Sequence, residues 1–134
     1  MNAARVTAIP LFAGLSGPAL EAVCAAAGEY RVDAGASLAN EGDFGHGFFA
    51  IESGTADVVR EGTTLARLGP GDVFGEIALL TSGRRTASVV ATSEMRLLTL
   101  FKRDLWRLEE EAPEVAAALQ RTVRERLERA PASL

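Results

Sequence analysis

The middle of the chain, from Tyr30 to Phe101, consists of short apolar segments that are each closed by Gly, Asp, Ser or Pro. Most of the thirteen glycines lie in this region. The segments recur at roughly 8–12-residue spacing, which favours strands joined by tight turns over alternating βα units. The pattern therefore predicts a compact antiparallel β-structure, namely a sandwich, a roll or a barrel.

Helical patterns flank this β-region on both sides. Ser16 is placed to be the N-cap of a helix that has Pro18 in its first turn, and apolar residues follow at helical spacing. Beyond Phe101, Trp106 lies in a second helical pattern, and Pro113 opens a third. The fold class that follows is α+β, with helices before and after the β-region.

The chain has 134 residues, which suits one domain with a real core. We predict a single domain over residues 1–134, with a helical part at 1–29, a β-structure at 30–101 and C-terminal helices at 102–130. Hydrophobic residues make up 48% and charged residues 24%, as in ordinary globular proteins. The chain is therefore expected to fold on its own.

Charge and hydropathy exclude several classes of partner. The formal net charge is −4 and the fourteen basic residues are scattered, so we expect no direct binding of nucleic acid. Membrane-spanning helices need about 20 apolar residues, and the sequence has no such stretch and no signal-peptide layout. We expect no membrane segment in this chain and a cytoplasmic location.

Residues for metal binding and catalysis are scarce. A cupin-like metal enzyme is the main rival for a small β-structure, but it needs clustered imidazoles, and His46 is the single histidine. His46 lies in a glycine-bounded stretch typical of a surface turn. Cys24 is the single cysteine and is expected to be a small buried hydrophobe. We therefore predict no metal site and no catalytic turnover.

The segment after the Gly-Pro-Gly-Asp turn at 69–72 combines residues that suit a sugar phosphate. Gly75 can open a short helix whose free amides attract an anion. Glu76 can accept a hydrogen bond from a sugar hydroxyl, and Arg85 offers a guanidinium fork to phosphate oxygens. On spacing alone, two other interpretations stay open: Glu76 and Arg85 pair with each other, or Glu76 only favours its helix N-terminus.

The stretch FGEIALLTSGRRTASVVA resembles the phosphate-binding cassette of cyclic nucleotide-binding domains. That cassette has the pattern F-G-E-[LI]-[AS]-L followed by R-[AST]-A-[ST], at the same separation. The upstream stretch NEGDFGHGFFAIESGTADVV resembles the first half of the same family. The likeness covers practically the whole chain and is closest in character to bacterial channel-type or stand-alone domains. It implies an eight-stranded β-roll flanked by N-terminal helices and two C-terminal helices.

The resemblance also implies which residues touch the ligand. By the family's pattern Glu76, with Gly75, binds the ribose. The residues implied for the cyclic phosphate are Arg85, Thr86, Ala87, Gly75, Ile77 and Ala78. One departure is Arg84, which stands where the family commonly has proline. We expect Arg84 to face solvent.

Further positions match those that line the family's base site. They are Val58, Ala66, Leu68, Thr86 and, on the final helix, Arg126. Ordinary strand packing is the alternative role for the three apolar residues. Arg126 falls on the apolar stripe of the final helix, where the alternative is a stem that snorkels near the helix end. Family members with a hydroxyl at the position of Thr86 can contact the amino group of guanine. Both cGMP and cAMP therefore stay open as the ligand.

These expectations describe a sensor that takes cAMP or cGMP as an allosteric ligand and moves its C-terminal helix, from Pro113 to Arg129. A transcription factor of the catabolite-activator type would need a winged helix beyond Leu134. Three hypotheses remain: a free-standing sensor, the regulatory piece of a larger channel, kinase or transferase, and a ligand-free β-roll used for protein contacts. The effector domain or partner protein and the oligomeric state stay unassigned.

Overall fold

The computed structural model describes residues 2–42, 47–74, 87–111, 113, 114, 116, 117 and 121. In chain order, its helices and strands are α1 (Ala3–Thr7), a 3-10 helix (Pro10–Phe12), α2 (Gly17–Ala26), β1 (Gly28–Val32), β2 (Ser37–Ala39), β3 (Gly47–Ser53), β4 (Ala56–Arg60), β5 (Thr63–Leu68), β6 (Val73–Phe74), β7 (Ser88–Ala91), β8 (Met95–Phe101) and α3 (Lys102–Glu111). The predicted α+β class, with strands between helices, is confirmed.

The strands form two four-stranded sheets, with the orders β1-β8-β3-β6 and β2-β7-β4-β5. Every pairing between them is antiparallel. Consecutive strands β4 and β5 pair as a hairpin, whereas β1, β3 and β8 meet only through long-range pairing. This is the antiparallel eight-stranded roll that the resemblance implies.

Strand β8 shows how one sequence serves two cores. Its residues alternate between the faces of the sheet, so Met95 and Leu97 enter the cluster between the two sheets. Leu98 and Leu100 point the other way and join the cluster formed by the helices. All four are almost completely buried. The run MRLLTLF is therefore nearly continuously apolar because both faces of its sheet are covered.

The N-terminal helices pack on the outer face of the first sheet. Val6 of α1, Phe12 of the 3-10 helix and Val23 of α2 are buried together with Leu98 and Leu100. Cys24, which we predicted to be a small buried hydrophobe, is half-buried at the rim of this cluster. The N-terminal helices thus form a second hydrophobic core with the outer face of the first sheet.

The start of α2 differs in detail from the prediction. Ser16 occupies the N-cap position with extended backbone, and Pro18 lies in the first turn. The Ser16 side chain, however, makes no capping hydrogen bond within the described part of the chain. Gly17, which has a positive φ of 57°, turns the chain into the helix instead.

Thr99 on β8 carries a buried hydroxyl that has no hydrogen-bond partner in the part of the chain that the structure describes. Its side chain is 3% exposed, and its Oγ1 makes no hydrogen bond among the described residues. Such a hydroxyl costs free energy because it has lost water without gaining an acceptor. Thr99→Val keeps the shape and removes the hydroxyl, so we expect it to raise the free energy of unfolding by about 1 kcal/mol in urea denaturation.

The matched control is Thr92→Val. The hydroxyls of Thr92 and Thr55 lie 2.7 Å apart and share a hydrogen bond at an exposed corner. Losing that bond is expected to lower the free energy of unfolding by about 0.5 kcal/mol. If Thr99→Val also lowered the free energy of unfolding, the Thr99 hydroxyl would have a hydrogen bond whose contribution exceeds the cost of its burial.

Candidate functional site

The three apolar residues that we predicted for the base site lie together on the inner face of the second sheet. Val58 on β4 is paired with Ala66 on β5, and Ala56 is paired with Leu68. Val58 is fully buried and Leu68 is 9% exposed, and both belong to the cluster between the sheets. Ala66 shares the face of Val58 and yet is exposed. The roll is therefore open to solvent at Ala66.

A β-bulge lies next to this opening. Val58 pairs with Ala66 but Val59 pairs with Thr64, so β5 holds one extra residue at Leu65. A bulge bends the strand and increases its twist. Strand β5 is also the edge of its sheet, where Thr63 to Arg67 are exposed. The β4–β5 hairpin thus extends past the core as one wall of an open site.

The tip of this hairpin is tied to the far side of the site by Glu41. Glu61 and Gly62 form the two-residue turn, with φ of 50° and 79° as a type I′ turn requires. The Glu61 N–H donates to Oε1 of Glu41 at 3.1 Å. The N–H of Glu41 itself donates to Oγ of Ser88 at 2.9 Å.

Strands β6 and β7 lie on either side of the predicted phosphate cassette. Phe74, at the end of β6, is fully buried and stacks on Phe49 with ring centroids 5.1 Å apart. Ala87, just before β7, is 2% exposed. The other residues predicted for phosphate and ribose, Gly75, Glu76, Ile77, Ala78, Arg85 and Thr86, lie outside the described residues, as do Arg84 and Arg126.

The turn that leads into β6 is tightly fixed. The Gly69 N–H donates to Oδ2 of Asp72 at 2.8 Å, and the Asp72 N–H donates back to the Gly69 carbonyl at 3.0 Å. Ile51 on β3 exchanges backbone hydrogen bonds with Gly71 and Asp72, at 2.8 and 2.9 Å. The predicted Gly-Pro-Gly-Asp turn is present, and it sets where the chain enters the cassette.

An ion network that the sequence analysis missed holds α1 to the first sheet. Arg5 donates from Nε and Nη2 to the carboxylate of Glu52 at 2.9 and 2.7 Å. Nη2 also lies 3.3 Å from Oε1 of Glu29. The hydrogen bonds to Glu52, then Glu29, raise the pKa of Arg5 above its ordinary value, and the Arg5 guanidinium lowers the pKa of Glu29.

This network borders a groove of about 490 Å³ between α1 and the turn before β6. Ile9, Ile51 and Gly71 line its apolar part, while Arg5 and Glu52 pair at its side. Because the guanidinium already has two carboxylate partners, the groove offers little attraction for an anion. The groove is therefore a poor candidate for an anionic ligand, and the exposed position of Ala66 is kept as the candidate ligand site.

The described residues hold no group of three or more His, Cys, Asp or Glu side chains arranged to bind a metal ion. None of their helices is long and apolar enough to cross a membrane.

Comparison with known families agrees with this geometry. The model of the cyclic nucleotide-binding domain family matches residues 29–111, which covers β1 through α3. The chain belongs to the cyclic nucleotide-binding domain family.

Similar proteins include a bacterial channel and a bacterial receptor. The chain is 36% identical over 121 residues to a cyclic nucleotide-gated potassium channel of Rhizobium etli, covering 90% of this chain and 34% of the channel. It is 35% identical over 125 residues to the cyclic AMP receptor protein of Thermus thermophilus, covering 87% of this chain and 58% of the receptor. The chain thus spans well under two thirds of either relative.

A solved structure confirms the fold. The crystal structure of the Thermus thermophilus catabolite activator protein superimposes with a TM-score of 0.81 at 35% identity. The match covers 91% of this chain and 60% of that chain. The predicted resemblance to the family is confirmed by sequence and by structure.

Proposed function

We propose that this chain is a sensor that binds a cyclic nucleotide, cAMP or cGMP, as an allosteric ligand. The observation that carries the proposal is the exposure of Ala66. Inner-face positions of a closed roll are filled by core side chains, as Val58 and Leu68 are here. An open, small residue beside two buried apolar ones leaves space for a flat apolar group. A purine base has that shape.

The phosphate and the ribose need polar partners, and the cassette supplies them in sequence. Arg85 binds the cyclic phosphate together with Thr86, Ala87 and the backbone amides of residues 75, 77 and 78. Glu76 accepts the ribose 2′-hydroxyl. The fixed turn at 69–72 and the buried Phe74 and Ala87 support this assignment, because they hold both ends of the cassette on rigid strands.

The choice of base rests on different features. The name of the Thermus relative, the cyclic AMP receptor protein, supports cAMP. Thr86 supports cGMP as a second ligand, because its hydroxyl is an acceptor for the amino group of a syn guanine. Arg126 covers the base in either case, through stacking or a hydrogen bond.

Ligand binding is coupled to the C-terminal helices in this proposal. Leu108 of α3 and Ala116 beyond it are buried in the helical cluster at 1% and 4% exposure. These residues share one core with the N-terminal helices, so a shift of the C-terminal segment changes the packing of both. A ligand moves such an equilibrium only if it prefers one arrangement. Arg126 provides that preference because it contacts the base only when its helix closes.

Isothermal titration with cAMP and with cGMP tests the ligand. We expect saturable binding of at least one of them, and no binding of 5′-AMP at the same concentrations. Hydrogen exchange tests the coupling: the amides of residues 102–121 should exchange more slowly with the ligand bound. No heat with either cyclic nucleotide would favour a ligand-free roll used for protein contacts. Binding without a change in exchange would remove the helix coupling alone.

A further inference from the structure

We propose that Glu41 is a positioning residue that sets the distance between the β4–β5 hairpin (residues 56–68, the base wall) and the phosphate cassette. The inference rests on the proposed function and adds a residue outside the cassette to it. Glu41 contacts the turn of the β4–β5 hairpin on one side and Ser88, at the start of β7, on the other. It acts through two hydrogen bonds, one from its backbone and one to its side chain.

The first bond ties Glu41 to the end of the cassette. Its N–H donates to Oγ of Ser88 at 2.9 Å, and Ser88 is the first residue of β7. Ser88 lies three residues after Arg85 in the sequence. Ser88 is also paired with Val59 of β4 across the sheet. The position of Glu41 is therefore fixed relative to the strand that leaves the cassette.

The second bond ties Glu41 to the tip of the base wall. Its carboxylate accepts the N–H of Glu61 at 3.1 Å, in the turn that joins β4 to β5. Beyond the bulge at Leu65 this hairpin is exposed along its whole β5 side, so core packing does not fix its tip. A hydrogen bond at the tip then limits the motion of the strand that carries Ala66.

Pre-organising both halves of a site strengthens binding because less freedom is lost when the ligand enters. The base rests on one half and the phosphate on the other, so the ligand bridges them. Without the side chain of Glu41, β5 stays paired with β4, and β4 stays paired with β7 as far as Val59 and Ser88. The turn at Glu61, however, loses its hydrogen bond to Glu41. The expected cost is that of one exposed hydrogen bond, or about fivefold in affinity.

The two test variants are Glu41→Gln and Glu41→Ala. Both variants remove the negative charge of Glu41, and this removal by itself favours the binding of an anionic ligand. Glutamine keeps a side-chain oxygen that can accept the Glu61 N–H, whereas alanine does not. The comparison between these two variants therefore isolates the hydrogen bond from the charge. Glu21→Ala on α2 removes an equal charge from an exposed helical position and serves as the control.

Two measurements are made on each variant at a temperature well below its melting midpoint. Titration uses the cyclic nucleotide that binds the wild-type chain, and hydrogen exchange follows the amide of Glu61. We expect Glu41→Ala to bind about fivefold more weakly than Glu41→Gln and its Glu61 amide to exchange faster. Glu41→Gln should bind at least as tightly as the wild type. The control Glu21→Ala should have the affinity of the wild type.

The outcomes separate this inference from the proposed function. If the wild-type chain binds neither cAMP nor cGMP, both fall. If it binds and the two Glu41 variants have equal affinity, Glu41 has no positioning role and the proposed function stands. If Glu41→Ala binds more weakly while its Glu61 amide exchanges at the wild-type rate, the effect does not pass through the hairpin tip and the inference is wrong.

Discussion

Replacing Gly54 by alanine is expected to lower the free energy of unfolding by about 3 kcal/mol or more, which is a large share of the stability of a typical domain. Gly54 begins the turn between β3 and β4 and has a φ of 90°. A Cβ at this position would lie 2.8 Å from Cγ and 2.9 Å from Cα of Met95, and closer still to the backbone carbonyl of Glu94. Backbone atoms cannot move aside as a side chain does, so β8 would have to shift. Urea denaturation followed by circular dichroism measures the loss.

Gly35→Ala is the matched control. Gly35 has a φ of 91°, almost equal to that of Gly54, but among the described residues no heavy atom beyond its chain neighbours lies within 4 Å of the position of a Cβ. It therefore carries the backbone strain without the clash, and we expect a loss of about 1 kcal/mol. A loss equal to that of Gly54→Ala would show that strain alone dominates. The clash with β8 would then contribute nothing to the loss of unfolding free energy in Gly54→Ala.

Short apolar segments closed by turn residues made a compact antiparallel β-structure predictable from sequence. Strand β8 alternates between two cores, and turn residues mark the strand ends, as Gly54 does after β3 and Glu61-Gly62 do between β4 and β5. These signals are local, because they depend on the period of a strand and on the φ that a turn requires. The order of strands in the two sheets is not local. It was not predicted, because the family resemblance implied only an eight-stranded roll with flanking helices.

The ion network and the Glu41 tether were not predictable in the same way. Arg5 meets Glu29 and Glu52 across 24 and 47 residues of sequence. Glu41 meets Ser88 across 47. Many carboxylates in the chain offer an equal partner to Arg5, so only the folded backbone selects two of them. The same limit applies to Ala66, because its exposure depends on which strand lies at the edge of the sheet.

For the base wall, the structure agrees with part of the assignment made from the sequence. Val58, Ala66 and Leu68 were assigned to one site by their alignment with the family, with strand packing as the alternative. The structure shows them on one face, with Val58 and Leu68 packed in the core and Ala66 exposed. Packing therefore describes two of the residues well. The third, Ala66, is exposed, which makes it the better target for substitution.

Arg85→Ala is expected to weaken the binding of cyclic nucleotide by about 10- to 100-fold or more. In the proposed site Arg85 donates two parallel hydrogen bonds to the phosphate, and such a charge-assisted contact is worth about 1.5–3 kcal/mol in total. The net charge of the chain is −4, so no general positive field compensates for the loss. Titration with cAMP and cGMP under one buffer condition measures the change, with circular dichroism to show that the variant is folded.

Arg84→Ala separates the contact from the charge. The two arginines are adjacent in sequence, so both variants remove one positive charge from the same stretch. Charge alone acts at long range and is screened by salt, which makes its effect on affinity small and dependent on ionic strength. We expect Arg84→Ala to bind within about threefold of the wild type at 0.15 M salt. Equal losses in the two variants would mean that the cassette attracts the ligand only by its net charge, and unchanged affinity in Arg85→Ala would place the phosphate elsewhere.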